Sequence, residues 1–403
     1  MPDLQTLVDD LAAELGRSVV VNDPAVRMLV TSRHFGDEDE VRVRAVLQRD
    51  AGPEVARYVL DQGVARWTRP GTVPGRAELG MHARLCVPVR DRGELLGLLM
   101  VIDADGSLSP AQVRRIEEVA AAAAPALVRS DDARAEESAL VADLLAEDGA
   151  RRRTALAAVA ARGLPAVGTV VVAVLTAPPG PEAEQALWAA VGSAVQRRPQ
   201  RGLVAVAGGS GTIVHIGLDV EAACALAERT VATAAGLLAS PGAVVAGVGE
   251  EVESVAEAWQ SARQARAAAR GAAALPGPAE TPTARPTLGP VARWSDLGPY
   301  ALLLQLPAEA LTADLVPEPL ARLLDDPRAA TLVDTLRAYL DHGGSMPRTA
   351  EALHLHRTSL YYRLDRIRET TGLDLQSGGD RLLLHTGLLI ADLLPTDRGK
   401  SGS

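Results

Sequence analysis

Aromatic side chains are nearly missing from this 403-residue chain, which has one Phe, five Tyr and four Trp. Its cores therefore have to be assembled from Ala, Val and Leu. Lysine is rarer still: Lys400 stands alone, so arginine carries almost all the positive charge. That bias runs the length of the chain and marks no site by itself. The two cysteines, Cys86 and Cys224, lie far apart and form no motif, which excludes a disulfide scaffold and suits reduced thiols. No run approaches ~18 consecutive apolar residues, so no membrane-spanning helix is expected. The N-terminal MPDLQTLVDDLAAEL has no apolar segment of the kind a signal peptide needs. A soluble, cytoplasmic protein is the expectation. A formal net charge of −10 argues against coating nucleic acid along the whole chain, yet leaves room for one small basic face.

What is present is an ordinary globular composition, 47% hydrophobic and 23% charged, long enough for two or three domains. Residues 1–108 read as an α/β unit. LQTLVDDLAAEL predicts an amphipathic helix closed by Gly16. SVVVND and AVRMLVTS predict two strands around Asn22-Asp23-Pro24, with helical patterns near 38–49 and 53–62. RLCVPVRDRGELLGLLMVID reads as a hairpin turning at Asp91-Arg92-Gly93, with Leu85, Val87 and Val89 on one face. Ser109-Pro110-Ala111-Gln112 is a helix start: Ser caps, Pro takes the first position, and Gln sits where a capping box needs it. A long Ala-rich helix with a bend at Pro125 should follow, and residues 109–149 are expected to connect domains and to support a dimer.

Residues 150–271 read as a second α/β domain. GTVVVAVLT is a buried strand and PEAEQALWAAVGSAVQRR a helix. GLVAVAGGSGTIVHIGL is a hairpin with Gly208-Gly209-Ser210-Gly211 at its tip. CALAERTVATAAGLL is a helix, GAVVAGVG a strand, and VESVAEAWQSARQARAAAR a last helix. Five prolines in residues 271–290 then break every periodicity, so 272–292 reads as a semi-extended linker. Residues 293–394 read as helical throughout, and 395–403 as a disordered tail.

The chemistry concentrates near the end. TLVDTLRAYLDHGG is a helix with Leu332, Leu336 and Leu340 on one stripe. A short helix begins near Pro347 and turns Ala350 and Leu353 inward. A longer one carries Leu360, Leu364 and Ile367 and ends at Gly372. A small residue such as Ala350 lets two helices cross closely. His354 takes the turn position where glycine often stands, since His is enriched at positive φ, and His356 is expected to cap the next helix. Residues 357–368 hold four arginines against Asp365, a net of +3, while 330–394 hold seven arginines and eight acids, a net of −1. Arg357 falls in the first helical turn, where the helix dipole opposes a cation by ~0.3–1 kcal/mol. A helix end that meets phosphates or a guanine edge has a use for that arginine. Thr358, Ser359, Tyr361 and Tyr362 add hydroxyls beside it, and Arg363 and Arg366 extend the same face. The competing reading is a plain helical hairpin with solvated arginines.

On these residues the C-terminal segment resembles the helix-turn-helix of PucR/CdaR-type bacterial transcription regulators. The pattern is met at Ala350, Leu353, His356, Arg357, Ser359, Leu360, Tyr362, Arg363, Leu364, Arg366 and Ile367. The resemblance is specific over about sixty residues and sets the helix-turn-helix at 346–371. The hairpin and trailing helix of the first domain are similar to the end of a GAF sensor domain. Residues 150–271 resemble the GGDEF-like domain of such regulators. The implied fold is multidomain: an α/β GAF-like sensor, an α/β degenerate GGDEF-like domain and an all-α helix-turn-helix domain.

The middle domain departs from an active cyclase, which needs carboxylates at the hairpin tip to hold metals on a triphosphate. Ser210, Gly211 and Thr212 stand there instead. No P-loop, nucleophile elbow or metal motif is found, so no enzyme activity, cofactor or metal is expected. Cys86 reads as core, and Asp37-Glu38-Asp39-Glu40 as a solvated helix start. The resemblance implies a sequence-specific DNA-binding regulator working as a homodimer or higher homo-oligomer on promoter half-sites. Arg357, Thr358, Ser359, Tyr361, Tyr362, Arg363 and Arg366 would make the contacts, and a small-molecule effector or partner would act at the first domain. The alternative is a ligand-responsive scaffold whose helical module binds proteins.

Overall fold

A computed structural model of the chain describes residues 3–48, 51–196, 202–238, 244–275, 277 and 287–394. Two compact units emerge, Met1–Val245 with Glu251–Ala262, and Ala246–Glu250 with Arg263–Ser403.

The first unit opens with helix α1 (Leu4–Leu15), capped by the Asp3 carboxylate on the Thr6 amide and closed by Gly16 at φ 63°. Strands β1 (Val19–Asn22) and β2 (Met28–Thr31), helices α2 (Glu40–Gln48) and α3 (Pro53–Asp61), and strands β3 (Gly71–Val73), β4 (Arg84–Asp91) and β5 (Glu94–Ile102) follow. The sheet is antiparallel in the order β2-β1-β5-β4-β3. Arg92 and Gly93 turn the β4–β5 hairpin with φ of 47° and 91°, the positive pair that a two-residue hairpin loop requires. Both faces of the sheet are covered. Leu85, Val87 and Val89 pack with α1 and the start of helix α4 (Pro110–Leu144), while Cys86, Leu98 and Met100 pack toward α3. Burial pushes the Cys86 thiol up to about 12, so it is a neutral core residue. The full capping box at Ser109 is formed, and α4 continues through Pro125 unbroken.

The acidic run departs from expectation. Asp39 is buried, pairs with Arg84, caps α2 through the Arg42 amide at 2.8 Å and accepts from the His82 amide at 2.8 Å. A solvated helix start would not hold three donors, so this carboxylate is a structural pin.

Helix α5 (Gly149–Ala161), which the periodicity had not singled out, leads into strand β6 (Val167–Thr176), helix α6 (Pro181–Gln196), strands β7 (Gly202–Ala207) and β8 (Ser210–Ile216) and helix α7 (Val220–Leu237). β8 pairs antiparallel with both β6 and β7. The hairpin tip is narrower than expected: Gly208 and Gly209 alone make the turn, at φ 57° and 76°, and Ser210 and Gly211 already belong to β8. After strand β9 (Val245–Val248), the expected helix from Val252 begins later. Strand β10 (Val252–Ser254) pairs with β6 first, and helix α8 runs Ala258–Ala274. The ladder with β6 satisfies backbone groups that a helix would otherwise pair internally.

In the second unit most of the proline-rich segment lies outside the described residues, as does the tail 395–403. Its flanks are tied together: the Leu288 amide donates to the Leu275 carbonyl at 2.8 Å. The region after it is not helical from the start, because strand β11 (Val291–Arg293) lies parallel to residues 246–248. Helices α9 (Tyr300–Leu303), α10 (Glu318–Asp325), α11 (Ala330–Asp341), α12 (Met346–Ala352), α13 (Arg357–Thr371) and α14 (Gly378–Leu393) then enclose one core. Leu320, Leu336, Leu360, Ile367, Leu384 and Leu388 are each fully buried in it.

Candidate nucleic-acid interface

The two helices of the motif are positioned by local rules. Gly343 and Gly344, at φ 64° and 78°, end α11, and the Gly344 amide returns to the Tyr339 carbonyl at 2.8 Å. Ala350 and Leu353 of the α12 segment pack on the shared core. His354 sits at φ 50°, the left-handed turn conformation expected of it, and the Leu355 amide donates to the Ala350 carbonyl at 2.9 Å. His356 caps α13, its Nδ1 accepting from the Thr358 amide at 3.3 Å. Leu360, Leu364 and Ile367 then fix the rotation of α13 by facing inward, so the remaining positions are forced outward.

That outward face holds Arg357, Thr358, Ser359, Tyr361, Tyr362 and Arg366, all exposed, with Arg363 half-buried. Tyr361 and Tyr362 are 56% and 67% exposed, which removes the packing explanation for either ring. The arginines differ in their partners. Arg366 pairs with Glu369 at 2.9 Å and Arg368 with Asp365 at 3.1 Å, both along the helix. Arg363 leans back onto α11 and donates to Thr335 Oγ1 at 3.3 Å. Beside it, burial raises the Asp334 carboxyl pKa against the pull of Arg337 and Arg363. Arg357 makes no ion pair among the described residues. It is an unneutralised cation at a helix start, where the dipole opposes it.

A groove of about 600 Å³ runs between α13 and the chain entering α11. Arg363 and Arg366 line one wall and Arg328 the other, with the hydroxyls of Thr331, Thr358 and Tyr362 between them. Among the described residues no carboxylate lines it. Arg328 and Thr331 carried no sequence signal, since they precede the motif and match no pattern; only the packing of α11 against α13 brings them to this face.

The platform behind the groove is anchored by a buried network. Arg337 Nη1 and Nη2 each donate to Asp392 at 2.6 Å, and the Tyr300 hydroxyl donates to the same carboxylate at 2.8 Å. Asp392 is 2% exposed. α9, α11 and α14 are thereby joined at one carboxylate.

A short helix, a tight turn and a second helix with a charged outer face define a helix-turn-helix. Residues 332–390 match the family described as PucR C-terminal helix-turn-helix domain, 146–270 the GGDEF-like domain and 3–127 the GAF domain. These three matches together are consistent with a PucR/CdaR-type regulator. It is 45% identical over 76 residues to the carbohydrate diacid regulator of Escherichia coli, which is 19% of this chain and 20% of that one. It is 40% identical over 90 residues to the transcriptional activator PmfR of Paenarthrobacter nicotinovorans, covering 22% and 19%. The chain thus matches about a fifth of the length of these curated relatives. A crystal structure of a regulator of polyketide synthase expression from Bifidobacterium adolescentis covers 64% of the chain and 97% of its own at 20% identity. Its TM-score of 0.33 is too low to inform the fold.

Proposed function

We propose that this protein is a sequence-specific DNA-binding transcriptional regulator, acting in the cytoplasm as a homodimer on promoter half-sites. The observation that carries the reading is the outer face of α13. Arg357 is exposed there without an ion pair among the described residues, with Thr358, Ser359, Tyr361 and Tyr362 beside it. A structural helix gains nothing from a cation at its first turn, whereas bidentate contact to guanine is worth about 1–3 kcal/mol. One short helix offers few base contacts, so two copies reading paired half-sites fit the module. The relatives named as regulators support the same assignment.

The domain division follows the sequence: residues 1–108 sense, 109–149 connect and dimerise, and 150–271 transmit without catalysis. Positions 210–212 offer two hydroxyls and a glycine where a cyclase needs carboxylates, and the Ser210 hydroxyl is already engaged with the Leu175 carbonyl. The first domain is the effector-responsive one. Between its sheet and α2 and α3 lies a cavity of about 30 Å³, lined by Asn22, Val26, Val41, Arg42, Val55 and Met100 among others. That space holds about two waters, so an effector enters only if α2 or α3 moves. Arg42 Nε is buried there without a hydrogen-bond partner among the described residues, a donor that an effector oxygen would satisfy.

The test is a gel shift with the duplex that the full chain enriches from a random-sequence pool. Arg357→Ala should cost ~1–3 kcal/mol on that duplex and far less on scrambled DNA. Unchanged affinity with Arg357 and Arg363 both replaced would defeat the assignment.

A further inference from the structure

We propose that the groove between α13 and the start of α11 seats one DNA backbone phosphate, with Arg328 as its far wall and Arg363 as its floor. The inference rests on the DNA-binding reading above and assigns the work within it: Arg357 reads bases, while this groove sets the register of the helix on the duplex.

The division follows from surroundings. Arg363 is half-buried and its guanidinium is already oriented by the Thr335 hydroxyl at 3.3 Å. A side chain held that way cannot extend along a base edge, but it can present its remaining N–H groups to an oxygen entering from the solvent side. Arg328 faces the same space from the turn before α11, and Arg366 closes the third side. Thr331, Thr358 and Tyr362 supply neutral donors between the three cations. Three acids near by lie outside the lining: Glu369 is engaged with Arg366, Asp334 feels the charge of Arg363, and Asp326 accepts from the Arg328 amide at 2.9 Å. Three cations with interleaved hydroxyls and no lining carboxylate suit a phosphodiester, whose oxygens accept from several donors at once. Among the described lining residues Leu332 is the one aliphatic side chain, beside the Tyr362 ring and the stems of the three arginines.

Because Arg328 would contact phosphate and not base, its loss must be felt equally on every sequence. Arg328→Ala in the full chain should weaken binding by about threefold to tenfold on both the selected duplex and a scrambled one, and lower the salt slope by about one. The ratio between the two duplexes should not move. Arg328→Lys should recover most of the slope, because the contact is mainly charge. A set of selected duplexes, each with one neutral methylphosphonate linkage, locates the phosphate. One position should weaken wild-type binding strongly and Arg328→Ala distinctly less, because Arg363 and Arg366 still meet that phosphate. Thermal melting of both variants should match the wild type.

An unaltered salt slope in Arg328→Ala, with Arg357→Ala still impaired, overturns the groove and leaves the DNA-binding reading standing. So does a methylphosphonate series in which no position couples to Arg328. A wild-type chain that shows no salt-dependent binding to any duplex overturns both.

Discussion

Arginine does opposite jobs in the interior of this molecule and on the outer face of α13. In the first domain Arg84 is buried against Asp39, and Arg27 is buried against Asp23 with its Nη1 on the Trp188 carbonyl at 3.0 Å. These cations have had their charge answered and serve as fasteners. On α13, Arg357 stands exposed and Arg366 meets only a solvated glutamate. Buried pairs are costly to break because a lone charge is left in the interior. Exposed pairs contribute little to stability and can be exchanged for a ligand. Since arginine supplies nearly all the positive charge, residue type cannot tell these roles apart; burial and partner do.

The sharpest way to break this contrast is at Asp392. Asp392→Ala strands Arg337 and removes the acceptor of the Tyr300 hydroxyl, so it should cost ~3–5 kcal/mol of stability in a thermal or denaturant melt. A loss below about 1 kcal/mol would mean that the pair is no more than a surface contact. The next test is Gly192, where an added Cβ would overlap Arg27 Nη1. Gly192→Ala should displace Arg27 from the Trp188 carbonyl and destabilise by ~1–3 kcal/mol; Arg27→Ala should cost more, because it also takes the nearest cation from the buried Asp23 carboxylate.

Arg357→Ala should move stability the other way. Removing a cation from the first turn of α13 should leave melting unchanged or raise it by up to ~1 kcal/mol while DNA affinity falls. A parallel loss of both would return Arg357 to the fasteners. The smallest effect belongs to His354, at φ 50°. His354→Gly should stabilise by ~0.5–1 kcal/mol, because glycine adopts that conformation without a Cβ clash; a loss would show that the imidazole has a partner of its own.

Local rules explain how much could be read in advance. The β4–β5 turn at Arg92-Gly93, the capping box at Ser109, the left-handed His354 and the cap at His356 all depend on neighbours within a few residues. The inward stripe of Leu360, Leu364 and Ile367 follows from helical spacing, and it fixes which residues face out. Asp39 reads as solvated because its acidic neighbours suggest solvent, whereas its partners, Arg84 at the start of β4 and His82 just before it, come from far along the chain. Val252–Ser254 reads as helix but forms a strand, because its partner β6 lies about eighty residues earlier.

Sequence alone therefore determined the three-part α/β, α/β and all-helical order, the helix-turn-helix and the residues on its outer face, because periodicity, capping and turn chemistry are short-range. Only tertiary structure decided which arginines are spent inside, that Arg363 leans on Thr335, and that Arg328 and Thr331 share a groove with α13. Those facts depend on which distant segments pack together, and burial and pairing exist only once they do.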